Sequence, residues 1–252
     1  MEYEDKMKKL PSGIYKSYLI EKVLSRYTFQ APILEIGCGT GEFLETLNKF
    51  KLHNGDLIDF NNDTIQHCRE KCSLLNLHMN VYCTDLFDFA SEKKYNSIFM
   101  FEILEHIEND EAALEKVFAL LNPQGLFLMS VPAKQSLFSD EDTFQGHLRR
   151  YERNDLCNKL RKAGFVIEFF WCYNPLPYIT KFLIKRRQKA SHVGAEVLQK
   201  TKDSSHVYYP TTKKLVDIFY PIYSTMHFIL KVQNLVLKMD FGAHYLVLGR
   251  KI

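Results

Sequence analysis

The sequence has no C-x-x-C pair, no run of about 20 apolar residues and no strong excess of either charge. Each absence removes a class. Without paired cysteines the common zinc spacings are missing. The six cysteines lie at positions 38, 68, 72, 83, 157 and 172. Cys68 and Cys72, four apart on one side of an expected helix, read as small buried hydrophobes in a reducing compartment. The longest apolar stretch, LVDIFYPIYSTMHFIL, is broken by Asp217 and Pro221 and is too short to span a membrane. Lys and Arg number 33 against 30 Asp and Glu, a net charge of +3, which by itself gives no reason to expect a nucleic-acid partner. The opening MEYEDKMKKL carries charges throughout, so no secretory signal is read there and a cytoplasmic protein is expected. No internal repeat and no low-complexity segment interrupts the chain.

What is present is the pattern of one α/β domain. The 252 residues are enough for a sizeable core with a modest insertion. Residues 14–28 form an amphipathic helical pattern, with Ile14, Tyr18, Leu19 and Val23 on the apolar face. Strands and helices then alternate. ILEIG, GDLIDF, MNVYCTD, NSIFMFE, GLFLMSVP, FVIEFFW and HYLVLGRKI read as seven strands. GEFLETLNKF, NDTIQHCREKCSLLN, NDEAALEKVFALLN and RNDLCNKLRKAG read as helices, the third ended by Pro123 and Gly125. Such alternation predicts a mostly parallel sheet flanked by helices. Ligands of such sheets bind beyond the carboxyl ends of the strands, which directs attention to 37–41, 59–63, 84–88, 101–108 and 131–150.

The first of those segments is glycine-rich. In ILEIGCGTGEFLETL, Gly37, Gly39 and Gly41 fall where a strand turns into a helix. A turn without side chains lets the backbone approach a ligand, and its amides can hold polar groups. Glu35 stands two residues before the first glycine. Asp59 ends the next strand, where a carboxylate can accept both hydroxyls of a ribose. Asp85 ends the third, where an acid can reach an adenine amino group.

This block of Glu35, Gly37, Gly39, Gly41, Asp59 and Asp85, continued through FEILEHIEND, LNPQGLFLMSVP and KAGF, resembles the class I S-adenosylmethionine-dependent methyltransferases over roughly residues 30–172. The resemblance implies a Rossmann-like fold. It implies that the glycine loop lies against the methionine part of S-adenosyl-L-methionine, that Asp59 binds the ribose, and that Asp85 and Leu86 lie near the adenine. The dehydrogenase rival uses G-x-G-x-x-G, and Glu42 stands where its last glycine would fall.

Glu102, Glu105 and His106 follow the fourth strand as E-x-x-E-H. Spacings of three and four in a helical turn bring them onto one face. They can hold a divalent cation. Alternatively His106 can act as a general base. The plainer reading has Glu102 touching the cofactor, Glu105 capping a helix and His106 packing. The later GHLRRYER contains His147, Arg149, Arg150 and Tyr151. Arg149 and Arg150 read equally well as solvated charges or as a receptor for an anionic group; Tyr151 reads as packing. Together the two segments resemble the ubiquinone-biosynthesis O-methyltransferases and the small-RNA 3′-terminal 2′-O-methyltransferases. That resemblance implies Mg2+ or another divalent cation on Glu102, Glu105, His106 and His147, gripping adjacent hydroxyls, with His106 or His147 near the transferred proton.

Residues 173–243 interrupt the alternation and read as a helical insertion forming an acceptor cap within a single domain of 1–252, leaving 244–252 as the last strand. The segment 190–214 reads as a loop or lid, and 215–239 as an amphipathic helix lining the core or pocket. Lys181, Lys185, Arg186, Arg187 and Lys189 beside aromatic residues give a second reading, a membrane-surface element serving a lipid-linked acceptor. The expectation is O-methylation of a small-molecule acceptor. Its rivals are small-molecule N-methylation without metal, RNA 2′-O-methylation, and a non-enzymatic module that binds the cofactor but has no acceptor cavity.

Overall fold

Every strand of the expected series forms, and all join one sheet. The computed structural model describes residues 11–174 and 240–252. In chain order the elements are α1 (Pro11–Arg26), β1 (Ile33–Ile36), α2 (Leu44–Lys49), β2 (Asn54–Asp59), α3 (Asn62–Leu74), β3 (His78–Cys83) and β4 (Tyr95–Phe101). A 3-10 turn (Leu104–His106), α4 (Asp110–Leu120), β5 (Leu121–Pro132), a second 3-10 turn (Gln135–Leu137) and α5 (Asp140–Phe144) follow. The described part closes with α6 (Arg153–Lys162), β6 (Phe165–Tyr173) and β7 (His244–Lys251). The strand order is β3-β2-β1-β4-β5-β7-β6, with β7 antiparallel to both of its neighbours and the other pairs parallel. The chain reverses its direction of growth between β1 and β4. At such a point the loops of adjacent strands splay apart and leave a crevice.

Successive side chains of a strand point to opposite faces, and here both faces are covered. Ile33, Leu57 and Phe99 pack with Leu19, Ile20 and Val23 of α1, Leu44 and Leu47 of α2, and Ile65 and Cys68 of α3. Their neighbours Leu34, Ile58 and Ile98 pack on the other face with Ala113, Leu114 and Val117 of α4 and Leu156 and Leu160 of α6. Cys38, Cys68 and Cys72 are buried free thiols, and their burial matches the sequence reading.

Three details differ from expectation. The buried stripe of α1 is Leu19, Ile20, Val23 and Leu24, whereas Tyr18 is 42% exposed. The helix faces the sheet along the i, i+4, i+7 line through Lys16, Ile20 and Val23. Helix α4 stops at Leu120, so Pro123 and Gly125 lie within β5 rather than after a longer helix. Pairing with β4 shifts register between Tyr95 and Ser97, and Gln124 takes φ 64°, an irregularity that absorbs both residues. Helix α2 begins only at Leu44, because Gly41 to Phe43 are used in the turn. The insertion expected over 173–243, with its loop at 190–214, its helix at 215–239 and its basic run at 181–189, lies outside the described residues except at its two ends. Among the described residues no helix is long and apolar enough to cross a membrane.

Candidate active site

The carboxyl ends of β3, β2, β1 and β4 line up along one rim, and the acids of the sequence pattern sit on it in that order: Asp85, Asp59, the glycine loop and Glu102. The loop's three glycines all take positive φ, but for different reasons. A Cβ on Gly37 would collide with the Ile103 side chain in the loop after β4, which would have to shift to admit it. A Cβ on Gly39 would meet nothing within 4 Å. Gly39 therefore faces open space. Four of the loop's amides are bonded within the protein. Gly37 and Cys38 donate to Ile58 O at 2.8 and 3.1 Å, Gly41 to Cys38 O at 2.8 Å, and Gly39 to Asp59 Oδ2 at 2.9 Å. These four donors hold the loop in shape, which leaves a bare backbone surface.

Asp59 is the pin of this arrangement, its other oxygen accepting from Asn61 N at 2.9 Å. Each carboxylate oxygen has a second lone pair, so the residue can still accept from hydroxyls. Asp85 is exposed and takes the Phe87 and Asp88 amides on Oδ1 at 2.6 and 2.9 Å. Those bonds, led by the Asp88 amide, hold its carboxyl below the usual range. The Leu86 side chain is buried in the core, so only its main chain is left for a ligand. Glu35 is buried behind the loop, and its Oε2 has no hydrogen-bond partner. Burial above all, with Cys72, Glu42 and Asp59 adding, pushes its pKa well up.

Glu102 follows β4 with φ 56°, a left-handed conformation a glutamate rarely adopts. Ser130 Oγ donates to its Oε1 at 2.6 Å, His244 Nε2 lies 3.7 Å from Oε2, and Lys16 Nζ lies 4.0 Å from Oε1. Burial alone would raise the Glu102 pKa, but His244, Lys16 and Ser130 outweigh it and hold the carboxyl below its usual value. Burial lowers the pKa of His244. The sequence reading missed both Lys16 and His244. Lys16 carried one signal, a charge at a core-facing helical position. His244 carried none beyond its place at the head of an apolar strand.

Glu105, His106 and His147 form a separate group, their ligand atoms all within 4.8 Å of one another. Glu102 stands outside it. The chain is not yet helical at Glu102, and the turn begins only at Leu104, so the one-face spacing does not apply to the first glutamate. Glu105 does not cap a helix. It is fully buried, and neither carboxylate oxygen has a hydrogen-bond partner. Burial, reinforced by Glu102, pushes its pKa well up. His106 Nδ1 lies 3.1 Å from Gly146 O, and His147 Nδ1 lies 3.0 Å from Asp142 Oδ1. A carbonyl and a carboxylate only accept, so each ring carries a proton on Nδ1, and the neutral form of each has its lone pair on Nε2. The donor set of one unmet carboxylate and two imidazole lone pairs fits a divalent cation. Burial lowers the pKa of His106 and favours its neutral form.

Both arginines beside this group are paired with acids of the protein. Arg150 bonds Asp142 Oδ1 at 2.6 Å and so holds the carboxylate that orients His147. Arg149 pairs with Asp110 at 3.1 Å and donates to Glu108 O. Tyr151 packs as expected, and its hydroxyl donates to Asp110 at 2.9 Å.

A doubly covered sheet of this strand order, with acids at the ends of β2 and β3 and a bare glycine loop between them and Glu102, defines a Rossmann-like enzyme domain built for a nucleoside-bearing ligand. A family model described as "Methyltransferase domain" matches residues 15–168, and the chain belongs to that family of class I S-adenosylmethionine-dependent methyltransferases. It is 36% identical over 107 residues to a malonyl-[acyl-carrier protein] O-methyltransferase of Ilyobacter polytropus, covering 42% of this chain and 41% of that one. A ubiquinone biosynthesis O-methyltransferase of Rickettsia bellii is 26% identical over 119 residues, with 45% and 48% covered. The chain thus spans about half the length of the curated relatives it matches. Among solved structures, an S-adenosylmethionine-dependent methyltransferase from Clostridium acetobutylicum superposes with a TM-score of 0.60 at 14% identity, covering 99% of this chain and 98% of that one; it shares the fold.

Proposed function

We propose that this chain transfers the methyl group of S-adenosylmethionine to a hydroxyl of a small-molecule acceptor, with a divalent cation held by Glu105, His106 and His147. The observation that carries the reading is the buried Glu105 carboxylate, which has no hydrogen-bond partner and faces two imidazoles whose Nδ1 atoms are already bonded. A carboxylate left so in a protein interior is unfavourable unless a cation or a proton meets it. When bound, the cation would lower the pKa of an acceptor hydroxyl and fix its position.

The protein's own groups supply the rest. Asp85 and Asp59 take the adenosine end, and the bare loop at Gly39 lets the cofactor's middle lie close to the backbone. The acceptor oxygen forms a bond to the methyl carbon as the carbon–sulfur bond breaks, and the sulfonium leaves as a neutral thioether. A cation bound there would take the Nε2 lone pairs of His106 and His147 and leave neither ring free as the base. Glu102, held ionised by His244, Lys16 and Ser130, takes the hydroxyl proton.

The test uses methyl-labelled S-adenosylmethionine with catechols, vicinal diols and amines of similar size. Label is expected in hydroxyl acceptors, falling by about 10²-fold or more with chelator or in His147→Ala, on the scale of losing a positioned catalytic group. Label in amines alone, unchanged by chelator, overturns the reading.

A further inference from the structure

Helix α1 breaks its own pattern at one position. Lys16, Ile20 and Val23 fall on one line of the helix, and the last two are buried against the sheet. A lysine on that line departs from the apolar pattern, and its side chain keeps 29% of its surface exposed. Lys16 lies over the ring of Phe101 at 5.4 Å, and its Nζ stands 4.0 Å from Glu102, too far for a hydrogen bond. Its charge also acts on Glu35, Glu105 and His244. The nearby cations Arg150 and Lys134 are committed, to Asp142 at 2.6 Å and Asp240 at 3.0 Å.

The strand order sets which end of the cofactor meets this lysine. Along the rim the sequence is β3, β2, β1, β4. With adenine at Asp85 and ribose at Asp59, the methionine end falls between the glycine loop and Glu102. The ionised Glu102 there suits the sulfonium and the ammonium but repels the α-carboxylate. The amides of Gly37, Cys38, Gly39 and Gly41 are already bonded within the protein. A side-chain cation is the group that offsets a carboxylate's full charge.

We infer that Lys16 binds the α-carboxylate of the cofactor's methionine end, so that α1 is part of the cofactor site. This rests on the cofactor reading above. It requires only that Nζ leave its loose contact with Glu102, which Ser130 and His244 continue to hold.

Calorimetry with two ligands separates this role from a structural one. S-adenosylhomocysteine carries the amino-acid end; 5′-methylthioadenosine lacks it. Lys16→Met is expected to weaken S-adenosylhomocysteine about tenfold to a hundredfold, the scale of a charged hydrogen bond, and to leave 5′-methylthioadenosine within about twofold. Lys16→Arg, which keeps the charge, is expected to recover most of the loss. Equal losses for both ligands, or no loss for either, overturn the assignment while leaving the cofactor reading in place. A wild-type protein that binds neither ligand overturns both. Should Lys16→Met not fold, the same comparison with Lys16→Gln decides.

Discussion

Replacing Glu105 with methionine should make the metal-free protein more stable, although Glu105 is one of its functional residues. The side chain is fully buried and its carboxylate oxygens meet no donor. An unsatisfied buried polar group costs about 1–3 kcal/mol, and methionine fills a similar volume without that cost. At about 2–4 °C per kcal/mol for a domain of this size, the metal-free variant should melt about 3–10 °C higher. The assay is thermal unfolding in chelator, repeated with Mn2+ and S-adenosylhomocysteine. Wild type should gain on adding Mn2+, by about 2.7 kcal/mol at a hundredfold excess over its dissociation constant. The variant should gain nothing, since a thioether is a poor ligand for a hard cation. A metal-free variant that melts lower than wild type would show that the carboxyl makes a structural contact, and the reasoning would fail.

Gly39→Ala should weaken S-adenosylhomocysteine about tenfold by calorimetry while costing about 1–2 kcal/mol in a urea melt, because its Cβ meets no protein atom and only the positive φ resists it. Asp110 tests the scaffold below the site. It is buried and clamped by Lys159 at 2.7 Å, Tyr151 at 2.9 Å and Arg149 at 3.1 Å. Burial would raise its pKa, but these partners outweigh it and hold the carboxyl low. Its stabilisation is therefore present above the unfolded value of about 3.9 and is lost as pH falls through the lower folded value. Asp110→Asn should cost about 3–5 kcal/mol at pH 7, with the gap to wild type closing in denaturant melts as pH falls through the lowered folded value; a gap that widens in acid refutes the assignment.

The parts of the site legible in the sequence are those set by local chain geometry. Gly37, Gly39 and Gly41 mark a turn that only glycines make, and Asp59 and Asp85 end strands whose periodicity is clear. The sheet followed from strands and helices in alternation. What escaped was contact between distant segments. Lys16 and His244 lie more than 200 residues apart and converge on Glu102 through sheet order alone. Arg150 reads equally as a solvated charge or an anion receptor until Asp142 is seen beside it at 2.6 Å. Glu102 and Glu105 share a motif but lie in different clusters, because Glu102 is itself left-handed and precedes the turn, which spacing does not reveal. The end of α4 was misplaced for a related reason: Pro123 and Gly125, ordinary helix stops, are absorbed by an irregular strand start.

One binding isotherm tests the cation site most directly. Mn2+ is titrated by calorimetry into wild-type protein saturated with S-adenosylhomocysteine, beside His147→Ala. Saturable one-to-one binding in the wild type, abolished in the variant, is the expected result. No binding at millimolar Mn2+, or equal binding by both proteins, would contradict a cation held by Glu105, His106 and His147.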